Sequence, residues 1–224
     1  MDSSEIILAI IVYFLFCNWI QIYYLAKNFL KPKPKVIPLL DDKLLTKYKS
    51  LTKLDLSINI IEENSLMVGF MLSSPPFKPI MVFSQKLFKN FTLKELDWVV
   101  LHEAGHYLML HNWKLALSQF ILLIIGLFIV ESFRFQTLFS ILVISLLLPL
   151  IYIQVAKIFE YQADNYAVKT MPDPRGMISG NTKMRKVNNW ERKRPFIKKF
   201  LVIAVPFEER IKMAKREIAS RKID

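Results

Sequence analysis

His102-Glu103-Ala104-Gly105-His106 sets two histidines four residues apart, with a glutamate directly after the first. On an α-helix, residues i and i+4 stand one above the other on the same face, so the two imidazoles can share one metal ion. Zinc suits such a nitrogen pair and acidifies water to a pKa of about 7. Glu103 then stands where a carboxylate can take that proton. The chain has three histidines, and all fall between His102 and His111. The pattern points to hydrolysis by activated water.

A helix must carry these residues, and its signals are present over 92–111. Thr92 and Glu95 form a T-x-x-E capping box, and Leu93, Leu96, Val99 and Val100 supply a buried face. Gly105 costs a mid-helix position about 1 kcal/mol relative to Ala, so something is expected to approach closely there. Upstream, the basic, proline-interrupted stretch 27–38 reads as a connector and 39–53 as a short amphipathic helix. The apolar stretches 57–61 and 66–72 read as a β-hairpin. A three-proline loop at 73–79 and a short strand at 80–83 then lead to the motif helix.

With 224 residues, 53% of them hydrophobic, and a mean hydropathy of +0.30, the chain has the composition of a membrane protein. Three apolar runs are candidate spans: 6–26, 114–130 and 136–156. Asp2 and Glu5 ahead of the first run argue against a cleaved signal peptide. Twelve Lys and Arg fall in 27–113 and seventeen in 157–224, with Lys114 at a boundary and Arg134 between the last two runs. By the positive-inside rule both long segments are cytoplasmic and the N-terminus lies outside. The net charge of +12 then faces the anionic headgroups of the bilayer. No nucleic-acid partner is expected, because no recognised binding motif accompanies the charge. Cys17, the single cysteine, permits neither an internal disulfide nor a Cys-rich metal site.

The third metal ligand has to lie on the same side of the membrane. His111 is nine residues from His102, about 180° round a continuous helix, which puts it at the rim of the site or at the membrane interface. A glycine turn to a third histidine is excluded, because Met109 and Asn112 occupy those positions. Glu160-Tyr161-Gln162-Ala163-Asp164 follows the third apolar run, with Glu160 and Asp164 on one helical face. One of these carboxylates can ligate zinc while the other accepts the N–H of a ligating histidine.

The H-E-A-G-H motif, two apolar runs and E-Y-Q-A-D together resemble the HtpX-type and CAAX-prenyl-protease-type family of integral-membrane zinc metallopeptidases. The weaker flanks at 81–90 and 205–211 are similar too, so the resemblance covers roughly 68–211. It implies one zinc per chain on His102, His106 and Glu160, with Glu103 as general base and Asp164 behind the ligands. The sequence departs from the family at Val68-Gly69-Phe70, where the pattern is Asn-Ala-Phe, and at Val205-Pro206-Phe207, where it is His-Pro-Pro.

The fold expected is a mainly α membrane protein, with about three transmembrane helices and a cytoplasmic α+β zincin-like metallopeptidase domain. Its expected parts are an N-terminal anchor at 1–26, a first peptidase part at 27–113, a transmembrane hairpin at 114–156, and a second part with a basic tail at 157–224. The function implied is proteolysis of membrane or misfolded proteins at the cytoplasmic face. His111, Tyr161 and Arg210 are candidates for the oxyanion or substrate, and the sequence does not choose among them. The alternative is a zinc-binding membrane sensor, adaptor or chaperone without proteolytic activity. Oligomeric state is not legible.

Overall fold

The computed structural model describes residues 7, 8, 10–15, 35–62, 67–132, 144, 147–187 and 203–221. The chain divides into two interleaved units. One comprises Met1–Lys33, Trp113–Ile158 and Arg194–Ile203, and the other Pro34–Asn112, Phe159–Lys193 and Ala204–Asp224.

The second unit holds a four-stranded sheet of β1 (Val36–Pro38), β2 (Ser57–Ile61), β3 (Gly69–Met71) and β4 (Ile80–Ser84), in the order β1-β2-β4-β3. The hairpin expected between 57–61 and 66–72 does not form. β4 lies between them, parallel to β2 and antiparallel to β3. The reason is compositional: Met81, Val82 and Phe83 are all buried, and an unbroken apolar run belongs in a central strand covered on both faces. β1 arises from the end of the expected connector, and Pro38 is tolerated there because the strand is an edge.

Helix α1 (Asp42–Thr52) is capped by Asp41, which accepts the Leu44 N–H at 3.1 Å, and ends at Lys53 with φ 58°. α2 (Gln85–Asn90) follows β4, with Ser84 Oγ accepting the Leu87 N–H. The motif helix α3 (Leu93–Leu108) begins at the expected capping box, where Glu95 accepts the Thr92 N–H at 2.8 Å. Its Leu96, Val99, Val100 and Leu101 join Met81 and Phe83 of the sheet in one buried core, whereas Leu93, expected on that face, is exposed in the first turn.

α4 (His111–Ser132) and α5 (Leu148–Thr170) each pass from one unit into the other, and α6 (Arg175–Val187) and α7 (Phe207–Ser220) complete the second. Gly176 lets α6 meet the start of α3, since a Cβ there would fall 2.1 Å from the Lys94 carbonyl oxygen. α7 is tied to the end of α5 by Arg221, which donates to the carbonyls of Val168, Lys169 and Met171 at 3.0–3.1 Å. A guanidinium there satisfies orphan carbonyls and complements the helix dipole.

In the first unit Tyr13 donates to the Gln119 carbonyl at 2.8 Å and packs with Leu123, Ile144 and Leu148. Among the described residues one helix is long and apolar enough to cross a membrane, over His111–Ile129. The expected span 6–26 lies mostly outside the described residues, the first half of 136–156 lies largely outside them, and 188–202 of the basic tail lies wholly outside.

Candidate metal centre

α3 presents His102, Glu103 and His106 from successive turns, and α5 crosses it at Gly105. A Cβ on that glycine would lie 3.2 Å from Ala163 Cα and 3.1 Å from Tyr166 Cδ1. The close approach expected at Gly105 is therefore the backbone of α5. It carries Glu160 and Asp164 to the two histidines.

Nε2 of His102 and Nε2 of His106 are 3.2 Å apart. Glu160 Oε2 is 3.6 Å from the first and Oε1 is 3.4 Å from the second. The ligand atoms of these three residues lie within 4.8 Å of one another. A tetrahedral ion with bonds near 2.1 Å sets its ligand atoms about 3.4 Å apart, so the spacing fits zinc.

Asp164 Oδ1 faces His102 Nδ1 at 2.8 Å. His111 Nδ1 faces His106 Nδ1 at 3.0 Å. Protons on the two ligand Nδ1 atoms leave both Nε2 lone pairs pointing at Glu160, an arrangement that a cation between them stabilises.

The pocket's electrostatics agree. Burial opposes a charge on His102, but Asp164, Glu160 and Glu103 outweigh it and push its pKa up to about 9. Burial raises Glu103, with His102 and His106 offsetting part of the effect. Burial would also raise Glu160 and Asp164. Glu160 is nevertheless held below the usual range by His106, His102 and Arg210, and Asp164 by Arg210 and His102. A pocket that draws a proton onto a buried imidazole favours a cation.

Arg210 is 8% exposed and donates from Nε to Asp164 Oδ2 at 2.7 Å, with Nη2 3.5 Å from Glu160 Oε2. Its guanidinium lies 5.6 Å from the Trp98 ring centroid. Tyr161 is half-buried, and burial with the charges of Glu209 and Asp164 raises its pKa.

His111 is fully buried, not at an exposed rim of the site. The helix expected to run continuously through 111 stops at Leu108, Leu110 takes φ 57°, and α4 begins at His111. Its ring stacks on Phe159 and its Nε2 lies 3.1 Å from Gln162 Oε1. A left-handed leucine carries no sequence signal, which is why the 180° expectation failed.

Two further contacts had no sequence signal either. The Met71 N–H donates to Glu103 Oε2 at 3.1 Å. β3 also lies close on α3, since a Cβ on Gly69 would fall 2.7 Å from Val99 Cγ1. This is the position where the family pattern has Ala.

The model of peptidase family M48 matches residues 47–217. The chain belongs to that family. The resemblance read from H-E-A-G-H and E-Y-Q-A-D thus holds. No curated protein matches the sequence. Among solved structures, S. mikatae Ste24p is similar with a TM-score of 0.60 and 19% identity, over 91% of this chain and 57% of that one. That likeness is one of fold, and the M48 chain described here spans little more than half of Ste24p.

Proposed function

We propose that this M48 chain is a membrane-embedded zinc metalloendopeptidase, hydrolysing peptide bonds of membrane or misfolded proteins at the cytoplasmic face. The reading is carried by the cluster of His102, His106 and Glu160 within 4.8 Å, whose two histidines lie on the helix that also bears Glu103 and whose glutamate comes from α5. These three would hold one zinc ion, which when bound supplies polarisation of the scissile carbonyl and acidified water. Glu103 takes the water's proton and later passes it to the leaving amine. The Met71 N–H holds that carboxylate in place.

Asp164 fixes the His102 tautomer, with Arg210 bracing it, and His111 does the same for His106. Because Arg210 and His111 are held by other site residues, Tyr161 is the oxyanion donor we favour. β3 is an edge of the sheet, and its Met71 N–H already points away from β4 toward Glu103. An extended substrate can add along the edge of β3 through the backbone groups that Glu103 does not occupy, with little sequence selectivity. The cytoplasmic placement rests on the distribution of Lys and Arg.

The test is zinc content and casein cleavage by detergent-solubilised wild type and Glu103→Gln. Zinc in both, with cleavage by wild type alone, supports the enzyme and the role of Glu103. Zinc in both with cleavage by neither turns the reading toward a zinc-holding sensor or adaptor. Wild type that binds no zinc sinks it.

A further inference from the structure

We infer that the loop of residues 72–79, between β3 and β4, seats on the bilayer surface beside the metal centre, with Leu72 and Phe77 at the headgroup–acyl boundary. This rests on the proposed reading of α4 as a membrane span.

Phe77 is 69% exposed and Leu72 63%. The loop that presents them is built from internal bonds. Ser73 Oγ donates to the Lys78 carbonyl at 2.6 Å and accepts the Ile80 N–H at 3.1 Å, and the Phe77 N–H reaches the Ser74 carbonyl at 3.0 Å. These bonds hold the loop's turn while its largest side chain, Phe77, stays exposed.

Two further bonds fix where the loop stands. Tyr107 Oη donates to the Phe77 carbonyl at 2.7 Å, and Asn112 Nδ2 donates to Ser74 Oγ at 2.7 Å. Asn112 is the second residue of α4. That helix has 22 residues, and its apolar window starts at His111. Crossing a hydrocarbon core takes about 20 residues, so an apolar window of 19 residues that opens at His111 sets the membrane boundary in the first turn of α4. A loop bonded to that turn stands at the boundary.

The surroundings have interfacial character. Leu108 and Leu110, at the α3–α4 junction, are also exposed, and Trp113 in the first turn of α4 is exposed as a belt tryptophan would be. Lys78 follows Phe77 and pairs with Asp55 at 3.1 Å, setting a cation next to the apolar tip. The consequence is a substrate class. β3 leads directly into this loop, so a strand added to its open edge would come from the membrane surface: the juxtamembrane segment of a membrane protein.

The experiment uses the full chain in phosphatidylcholine–phosphatidylglycerol vesicles, with Cys17 replaced by Ser and one nitroxide-labelled cysteine at a time. The sites are Phe77→Cys, Leu72→Cys, Phe120→Cys on the exposed side of α4, and Thr182→Cys on α6. Zinc content checks that each variant folds, and the second loop site stands in if the first fails. Collisional relaxation by oxygen and by a water-soluble nickel chelate reports depth. Expected is a lipid signature at Phe120, an aqueous one at Thr182, and oxygen above nickel at Phe77 and Leu72, at shallower depth than Phe120. Loop sites that match Thr182, while Phe120 stays in lipid, overturn the inference alone. Loop sites shielded from both reagents overturn it in favour of a protein cover, such as a second copy. An aqueous Phe120 overturns the span itself and the inference with it.

Discussion

Nδ1 of His111 lies 3.0 Å from Nδ1 of His106, on the side of the ring away from Glu160. The His111 Nε2 continues the chain to Gln162 on α5. With Nε2 of His106 kept as a lone pair, its Nδ1–H donates to His111, and the Nε2–H of His111 donates to Gln162. Replacing His111 by Phe keeps the stacking surface for Phe159 and removes the acceptor. Zinc affinity, measured by chelator competition, is expected to fall about 10- to 100-fold, the usual cost of losing a partner behind a ligand. The cobalt-substituted spectrum should shift as well. An unchanged affinity would remove His111 from the site.

Arg210 is the only cation in contact with the fully buried Asp164 carboxylate among the described residues, apart from the His102 ring. Arg210→Met leaves that charge behind, and removing one partner of a buried pair costs about 3–5 kcal/mol. Denaturant unfolding of the metal-free protein should show a loss of this size. Arg210→Lys cannot reproduce a guanidinium that spans Asp164, Glu160 and the Trp98 face, so only part of the loss should be recovered.

Zinc binding should be pH-dependent in a stated direction. In the metal-free protein the His102 pKa is about 9, above its ordinary 6.5. Below that value a proton must leave the ring before both Nε2 atoms can ligate. Affinity should therefore rise about tenfold per pH unit as the pH climbs toward 9 and level off above it. Without metal the sign reverses. The raised pKa stabilises the fold fully below 6.5, and that contribution is lost as the pH rises through 9. Calorimetric titration and metal-free melting at several pH values check the two halves separately.

Gly105→Ala separates stability from chemistry. Alanine gains about 1 kcal/mol of helix propensity, while its Cβ presses on the α5 backbone at Ala163. Melting temperature should change little. Casein cleavage should fall about tenfold, because α5 carries Glu160 and a displacement well under 1 Å at a reacting centre is felt in rate. Full activity in this variant would show that α5 gives way without moving Glu160.

The motif helix was legible because its signals are local: a capping box, a 3.6-residue apolar period, and two histidines one turn apart are properties of neighbouring residues. The strands 57–61 and 80–83 were legible for the same reason, since alternation and apolar runs need no partner to be read. The apolar run that becomes α4 was legible for the same reason. What sequence could not supply was partnership between distant residues. A period of two marks a strand without saying what lies beside it, so β4 took the place the expected hairpin gave to β3. The separation of Glu160 from Asp164 depended on where α5 crosses α3, a helix contact between residues about sixty positions apart that turns on the missing Cβ of Gly105. His111 is the sharpest case. Helical arithmetic carried it half a turn away, and one left-handed residue, Leu110, brought its ring against His106. Local pattern sets which face a residue occupies within its element, and only packing sets what that face meets.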